Sequence, residues 1–199
     1  MHLKKFMFTF GSILICTCVA LYLVIFSSPK VEKDLRSQYL KGGDFQLKHD
    51  GKAFQLSQLK GSPVILYFGF THCPDVCPVG LAVIRDALNS STSLADVPVV
   101  FVTLDPDRDT PEILKQYTSF FHSNIIPLRG TLEETKSVIE SYGGFFRLNK
   151  SQADSASEAN YSVDHSAYYY LIDSSGELMR VLDHSASSTE IADTLKSLL

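Results

Sequence analysis

Residues 64–78, VILYFGFTHCPDVCP, run from an uncharged apolar segment directly into two cysteines. Residues 64–68 are all aliphatic or aromatic, which is typical of a strand that is buried on both faces. Cys73 and Cys77 follow with three residues between them, and each stands directly before a proline. Because proline disfavours helical geometry in the residue before it, we predict that the cysteine pair lies on a loop.

Pro78 predicts the start of a helix, since its missing N–H would be unpaired at the first helical position. A helix N-terminus offers free N–H groups and the positive end of the dipole, and both favour thiolate over thiol. We therefore expect Cys73 and Cys77 to be reactive and able to bind a metal ion. A structural disulfide and a redox-active dithiol remain open as other uses of the pair.

The N-terminal part of the chain has a different composition. Residues 6–26 contain no charge over 21 positions, which is long enough for a helix to span a bilayer. The segment lacks the small-residue cleavage site of a signal peptide. We predict a transmembrane anchor in residues 1–30, a linker in residues 31–43 and one folded domain in residues 44–199. The short lead before the anchor favours a bacterial inner-membrane protein whose domain faces the periplasm.

Charge and cysteine use exclude two classes of protein. Residues 31–199 carry 15 Lys and Arg against 22 Asp and Glu, and without a basic patch we predict no nucleic-acid binding. Cys16 and Cys18 lie in the predicted anchor, so only Cys73 and Cys77 belong to the domain. Two cysteines do not make a disulfide framework.

Turn and capping signals divide the domain into alternating strands and helices. We predict strands at residues 44–47, 52–56, 64–68, 97–104, 125–128, 145–148 (an edge strand), 167–172 and 177–182. Helices are predicted at residues 78–88, 110–121, 131–142 and 191–198, and a mobile loop at residues 149–160. This order predicts an α/β fold of the thioredoxin-like type, a central mixed β-sheet with helices on both faces.

Three motifs together resemble the Sco/SenC family of membrane-anchored copper proteins. They are FTHCPDVCP, LDPDRDTPE at residues 104–112 and VDHSAYYYLID at residues 163–173, and the resemblance extends over roughly residues 40–199 and the anchor. It implies a metallochaperone that assists assembly of the binuclear copper site of cytochrome c oxidase, with the oxidase's copper-binding subunit as partner. By motif match, Cys73, Cys77 and His165 are then the ligands of one copper ion.

The donor types support the same interpretation. Two thiolates and an imidazole suit Cu(I) and are tolerated by Cu(II), whereas a closed structural zinc site needs four ligands. His165 precedes a predicted strand, so we expect its imidazole to reach the cysteine loop. Asp164 is either the group that orients this imidazole or a solvated acid.

Another class of function needs the same cysteines. A thiol–disulfide oxidoreductase that reduces the cysteines of the oxidase subunit, or a redox sensor, requires Cys73 and Cys77, whereas only a copper carrier also requires His165. A periplasmic copper donor or a thiol reductase is a further candidate partner.

The remaining acidic and histidine side chains near the motifs have weaker signals. Asp105, Asp107 and Asp109 resemble a calcium loop, but Arg108 among them argues against one, and we predict a loop-shaping or partner-docking role. Of the other histidines, we expect His72 to matter most, because it is adjacent to Cys73.

Overall fold

The computed structural model describes Leu40, residues 42–150 and residues 161–199. The strands are β1 Gln46–His49, β2 Lys52–Gln55, β3 Val64–Gly69, β4 Val99–Thr103, β5 Ile125–Leu128, β6 Phe146–Asn149, β7 Ser162–His165, β8 Tyr168–Ile172 and β9 Leu178–Asp183. The α-helices are α1 Val76–Asn89, α2 Pro111–Ser119, α3 Leu132–Ser141 and α4 Ser188–Lys196. A short 3-10 helix, Leu56–Leu59, follows β2.

Three predicted segments fall wholly or partly outside this description. They are the anchor of residues 1–30, residues 31–39 and 41 of the predicted linker, and residues 151–160 of the predicted loop. In the described ranges, none of the helices is long and apolar enough to cross a membrane. The anchor therefore stays a prediction.

The central sheet has five strands in the order β5-β4-β3-β8-β9. Strands β3, β4 and β5 are parallel, whereas β8 runs antiparallel to β3 and β9 antiparallel to β8. The sheet is mixed, as predicted. β3 lies in its middle, and all six of its residues are buried, which is why its sequence carries no polar alternation.

Helices cover both faces of this sheet, which confirms the predicted architecture. Ile65 and Tyr67 of β3 pack in one core cluster with residues of α1, α2 and α4. Leu66 and Phe68, which point to the opposite face, pack in a second cluster with residues of α3. The N-caps Thr110, Thr131 and Ser187 each accept a hydrogen bond from the backbone N–H three residues on, so the helix starts follow local sequence.

The strand predicted at residues 145–148 is present one residue later, as β6, but it does not extend the central sheet. It pairs with β7 in a separate antiparallel hairpin, in which Phe146 is opposite His165. β7 itself was not predicted, because four residues with one buried apolar side chain, Val163, give too short a pattern to identify a strand.

Candidate metal centre

The cysteine motif lies where β3 leaves the sheet and α1 begins. α1 starts at Val76, so Cys77 lies in its first turn and only Cys73 lies in the preceding turn. The prediction that both cysteines lie on a loop is therefore wrong for Cys77. Pro78 is the third helical residue and not the first, which the helix tolerates because the N–H of that position also has no partner within the helix.

Gly69, the last residue of β3, makes room for the motif. A Cβ atom at this position would lie 3.0 Å from Sγ of Cys77 and 2.9 Å from the Phe101 ring. Such distances are shorter than van der Waals contact, so any larger residue would displace the buried thiol.

The two thiols have different environments. Cys73 is partly exposed and accepts a hydrogen bond from the backbone N–H of Cys77 at 3.3 Å. Contacts with the Cys77 thiol, with His165 and with this N–H together lower the pKa of Cys73 to about 4, although partial burial opposes them. Cys77 is fully buried, and its contact with the Cys73 thiolate, together with burial, raises its pKa. The prediction of two stabilised thiolates is therefore right for Cys73 and wrong for Cys77 in the metal-free domain.

His165, the last residue of β7, presents its imidazole to these thiols. Its Nε2 lies 3.7 Å from Sγ of Cys77, and its Nδ1 lies 2.9 Å from the backbone oxygen of Ser166. A carbonyl oxygen only accepts hydrogen bonds, so Nδ1 carries the proton and Nε2 keeps a lone pair for a metal ion. The Phe70 ring meets the imidazole edge-on at 5.8 Å.

Asp164 does not orient this imidazole, so that alternative from the sequence is wrong. Asp164 is exposed and accepts a hydrogen bond from Nδ2 of Asn149 at 2.9 Å. The Ser166 carbonyl occupies the orienting position instead. Sequence patterns do not reveal this partner because it is a main-chain atom.

The structure brings the three predicted ligands together. One potential donor atom each from Cys73, Cys77 and His165 lies within 4.8 Å of the others, and they form the one such metal-binding group among the described residues. Cys73 and His165 both line an open cleft, with Phe70, His72, Pro74, Tyr161 and Val163 among its other walls. Three donors beside an open cleft leave a coordination position accessible from solvent.

The acidic motif divides into two buried carboxylates and one exposed one. Asp109 accepts hydrogen bonds from the Thr71 backbone N–H at 3.1 Å and from the Thr71 and Thr103 hydroxyls. Asp105, also buried, pairs with Arg108. Asp107 is exposed and pairs with Lys150 at 2.7 Å. Asp105 and Asp109 thus shape the loops around the site, one of the two roles predicted for this motif.

The comparisons with known proteins agree with the three motifs. The SCO1/SenC family model matches residues 33–199. The chain belongs to the SCO1/SenC family. A relative in this family, the SCO2-like protein RP587 of Rickettsia prowazekii, is 37% identical over 188 residues, which cover 89% of each chain.

Solved structures of Sco proteins have the same fold. Bradyrhizobium japonicum ScoI with copper bound has a TM-score of 0.69 at 35% identity, covering 80% of this chain and 99% of that one. Yeast Sco1 with copper bound has a TM-score of 0.70 at 34% identity, covering 79% and 87%. The thioredoxin-like fold predicted from the sequence is thus the fold of the SCO1/SenC family.

In this SCO1/SenC member, sequence reasoning missed the aromatic and basic side chains that surround the ligands. Tyr161 is buried, and the Arg108 guanidinium carbon lies 3.8 Å from its ring centroid. The two residues are 53 positions apart, so no local periodicity could have paired them. Phe70 and Tyr161 both line the metal cleft.

The other described histidines have different surroundings. Nδ1 of His49 lies 3.0 Å from the backbone oxygen of Pro127, and Nδ1 of His122 accepts from the Asn124 N–H at 3.2 Å. His184 is exposed beside Asp183. His72 is exposed on the cleft wall, and its Nδ1 lies 3.1 Å from the Thr71 hydroxyl. Of these four, only His72 lines the cleft.

Proposed function

We propose that this protein is a copper metallochaperone. Cys73, Cys77 and His165 bind one copper ion, which the domain delivers to the copper-binding subunit of cytochrome c oxidase during assembly. The observation that carries the proposal is the convergence of the three donors within 4.8 Å. Support comes from the family, in which ScoI and yeast Sco1 have been solved with copper bound.

The donors suit a cargo ion that must be released. Thiolates favour Cu(I), and an added imidazole also accommodates Cu(II). Cys73 is ready to bind as a thiolate, whereas Cys77 gives up its proton when the ion enters, so binding releases a proton. The open position in the ligand shell lets a ligand of the acceptor attack the ion before the donor has released it.

We also propose a location for this transfer. The uncharged segment of residues 6–26 supports a single anchor in the bacterial inner membrane. With the domain on the periplasmic side, the copper cleft and the oxidase subunit would share one compartment. Fractionation of cells, followed by protease treatment of spheroplasts, tests this placement, since a cytoplasmic domain would be protected from the protease.

The test of copper binding uses the reduced full chain with Cys16 and Cys18 replaced by Ala, so that the domain supplies the only thiols. We expect one copper per chain, and none bound tightly after Cys73→Ser/Cys77→Ser. Removing a ligand in His165→Ala should weaken binding at least as much as outer-sphere changes do, about 10–100-fold. His184→Ala, at an exposed histidine, is the matched control and should leave both the copper stoichiometry and the affinity unchanged. Tight binding by the double serine variant would refute the proposal.

The unequal thiols favour a second candidate function, thiol–disulfide exchange. Cys73 is a partly exposed thiolate and Cys77 a buried thiol, which are the properties of an attacking and a resolving cysteine. The Cys73 thiolate would attack a disulfide of the oxidase subunit, breaking its S–S bond, forming a mixed disulfide and releasing one subunit thiol. Cys77 would then displace the second subunit thiol and leave a Cys73–Cys77 disulfide. A thiol reductase must afterwards return two electrons and two protons to the pair.

One variant separates the two functions in cells. His165→Ala removes a copper ligand but leaves both thiols, so a reductase should keep most of its activity. A copper carrier with the same change should lose oxidase assembly at limiting copper and regain it when copper is added. Normal assembly by His165→Ala at limiting copper, with loss in either single cysteine variant, would replace the carrier with the reductase.

A further inference from the structure

The loop of residues 105–109 contacts both halves of the metal site. At one end, Asp109 accepts hydrogen bonds from Thr71 and so holds the turn that leads to Cys73. At the other end, Asp105 faces the β6–β7 hairpin, where Tyr161 donates its hydroxyl to one of the carboxylate oxygens. The Asp109 N–H donates to the Asp105 carbonyl at 2.9 Å, which closes the loop on itself. A single short loop therefore bridges the cysteine turn and the hairpin.

Arg108 fastens this loop to the hairpin. Its Nε donates to the second carboxylate oxygen of Asp105, and its Nη1 donates to the backbone oxygen of Tyr161 at 3.1 Å. The guanidinium carbon also lies over the Tyr161 ring, 3.8 Å from its centroid. Its side chain is only 12% exposed and that of Asp105 is fully buried, so solvent screens these contacts weakly.

The β6–β7 hairpin is held by such contacts together with packing of Tyr161 and Val163 in a core cluster. Of the described strands, β7 pairs with β6 alone, outside the five-stranded sheet, and an isolated pair of strands is marginally stable by itself. Tyr161 directly precedes β7 and His165 ends it. A second contact runs through Phe70, whose ring lies 5.9 Å from the Arg108 guanidinium carbon and 5.8 Å from the imidazole. Tyr161 thus holds the start of the strand that ends in His165, while the other end of that strand leads after two residues into β8.

We propose that Arg108 is the positioning residue of the copper site. It holds Tyr161, and with it the strand that ends in His165, where the imidazole joins the two thiols around one ion. This inference rests on the proposed copper binding, and it assigns to Arg108 an effect on affinity that acts through His165. When the cluster of Asp105, Arg108 and Tyr161 loosens, the imidazole leaves first and the two thiols remain as ligands.

The test is a double-mutant cycle on the full chain that lacks Cys16 and Cys18, with Cu(I) affinity measured by competition with a chromophoric chelator. Arg108→Lys keeps a positive charge beside Asp105 but loses the planar fork and the stack on Tyr161. We expect about a tenfold loss of affinity in the parent and less than about a twofold loss in the His165→Ala background. The matched control is Arg85→Lys, at a partly exposed arginine of α1. It should leave the Cu(I) affinity unchanged in both the parent and the His165→Ala background.

A readout without copper accompanies the cycle. In the metal-free chain, amide hydrogen exchange in β7 should become faster in Arg108→Lys, while exchange in β3 stays unchanged. Should Arg108→Lys fail to fold, Tyr161→Phe takes its place, because it removes only the hydroxyl that reaches Asp105.

The outcomes separate this inference from the proposed function. The inference is overturned if Arg108→Lys binds copper like the parent while His165→Ala binds weakly. An equal loss in both backgrounds also overturns it, since that would be a general structural effect. If His165→Ala itself binds like the parent, the proposed copper site fails, and hydrogen exchange in β7 still decides whether Arg108 positions the hairpin.

Discussion

The two halves of the metal site are built in different ways. The cysteines follow β3, the middle strand of the central sheet, whose six residues are all buried. His165 lies on the β6–β7 hairpin, which stands outside that sheet. β3 has a paired strand on each side, whereas β7 pairs with β6 alone and is held in addition by the contacts of Tyr161 with Asp105 and Arg108. We therefore expect the strand that ends in His165 to open more readily than the strand that leads to the cysteines.

We expect the largest effect, a loss of folding stability, in β3, the strand that leads to the cysteines. Phe68 is 1% exposed and packs edge-on against Tyr170 at 5.5 Å. Phe68→Ala leaves a cavity beneath the motif and should lower the free energy of unfolding by about 3–5 kcal/mol, as measured by urea unfolding of the metal-free chain. Phe120→Ala, at a side chain that is 80% exposed, is the control and should stay within about 0.5 kcal/mol. Similar losses in both variants would contradict the assigned core.

The next effect concerns the reactivity of the two thiols. The pKa of Cys73 is lowered to about 4, so its thiolate is complete above about pH 5 and is lost as the pH falls through 4. We expect a flat alkylation rate for Cys73 between about pH 5.5 and 8, and a rate at pH 6 about 100-fold above that of Cys77. Peptide mass spectrometry after iodoacetamide treatment measures both rates.

The same measurement sharpens the comparison of the two halves. The largest cause of the low pKa of Cys73 is its contact with Cys77, and contact with His165 adds to it, so His165→Ala should raise this pKa but leave it below that of an ordinary thiol. A rate that rises tenfold per pH unit in the parent would mean an ordinary thiol and would contradict the environment assigned to Cys73.

A smaller effect tests the loop that bridges the two halves. Asp109 is buried and accepts hydrogen bonds from Thr71 and Thr103. Asp109→Asn removes the charge from these bonds and turns an amide N–H₂ toward their donors, so we expect a loss of about 1.5–3 kcal/mol in stability. Asp107→Asn is the matched control in the same loop, because Asp107 is exposed, and it should cost less than about 0.5 kcal/mol. Equal losses of stability in the two variants would contradict the assignment of Asp109 as a buried hydrogen-bond acceptor and of Asp107 as an exposed side chain.

Sequence patterns predicted the cysteine half of the site and, in the other half, the ligand His165. The apolar run of β3 and the caps of Thr110, Thr131 and Ser187 are signals within a few residues, and the structure confirms the elements they mark. The prolines beside the cysteines predicted a loop that the structure confirms for Cys73 alone. His165 was found through its motif. The structure places its Nε2 3.7 Å from Cys77 across 88 residues of sequence.

The remainder was not predictable because it depends on contacts between distant residues. The pairing of β6 with β7 brings together strands on either side of residues 151–160, and β7 is too short to show a period. The stack of Arg108 on Tyr161 and the Ser166 carbonyl that orients His165 have no local signal either. The difference in pKa between the two thiols arises from the contact of Cys77 with Cys73 and from the burial of Cys77, which the proline spacing did not reveal.

The smallest expected effect is a difference in local stability between the halves. Native-state hydrogen exchange should show the β3 amides opening only with global unfolding, and the β7 amides opening in a smaller event. We expect the opening free energy of β7 to be lower by at least about 1.4 kcal/mol, which corresponds to about tenfold faster exchange. Equal protection in β3 and β7 would mean that the hairpin is as firmly held as the sheet.

The central claim, that both halves supply ligands to one copper ion, is tested most directly by X-ray absorption spectroscopy. The sample is the Cu(I)-loaded full chain with Cys16 and Cys18 replaced by Ala. We expect two sulfur ligands and one imidazole nitrogen, with the nitrogen lost in His165→Ala and retained in His184→Ala. A copper shell of sulfur alone in the parent, or a nitrogen that persists in His165→Ala, would contradict the account.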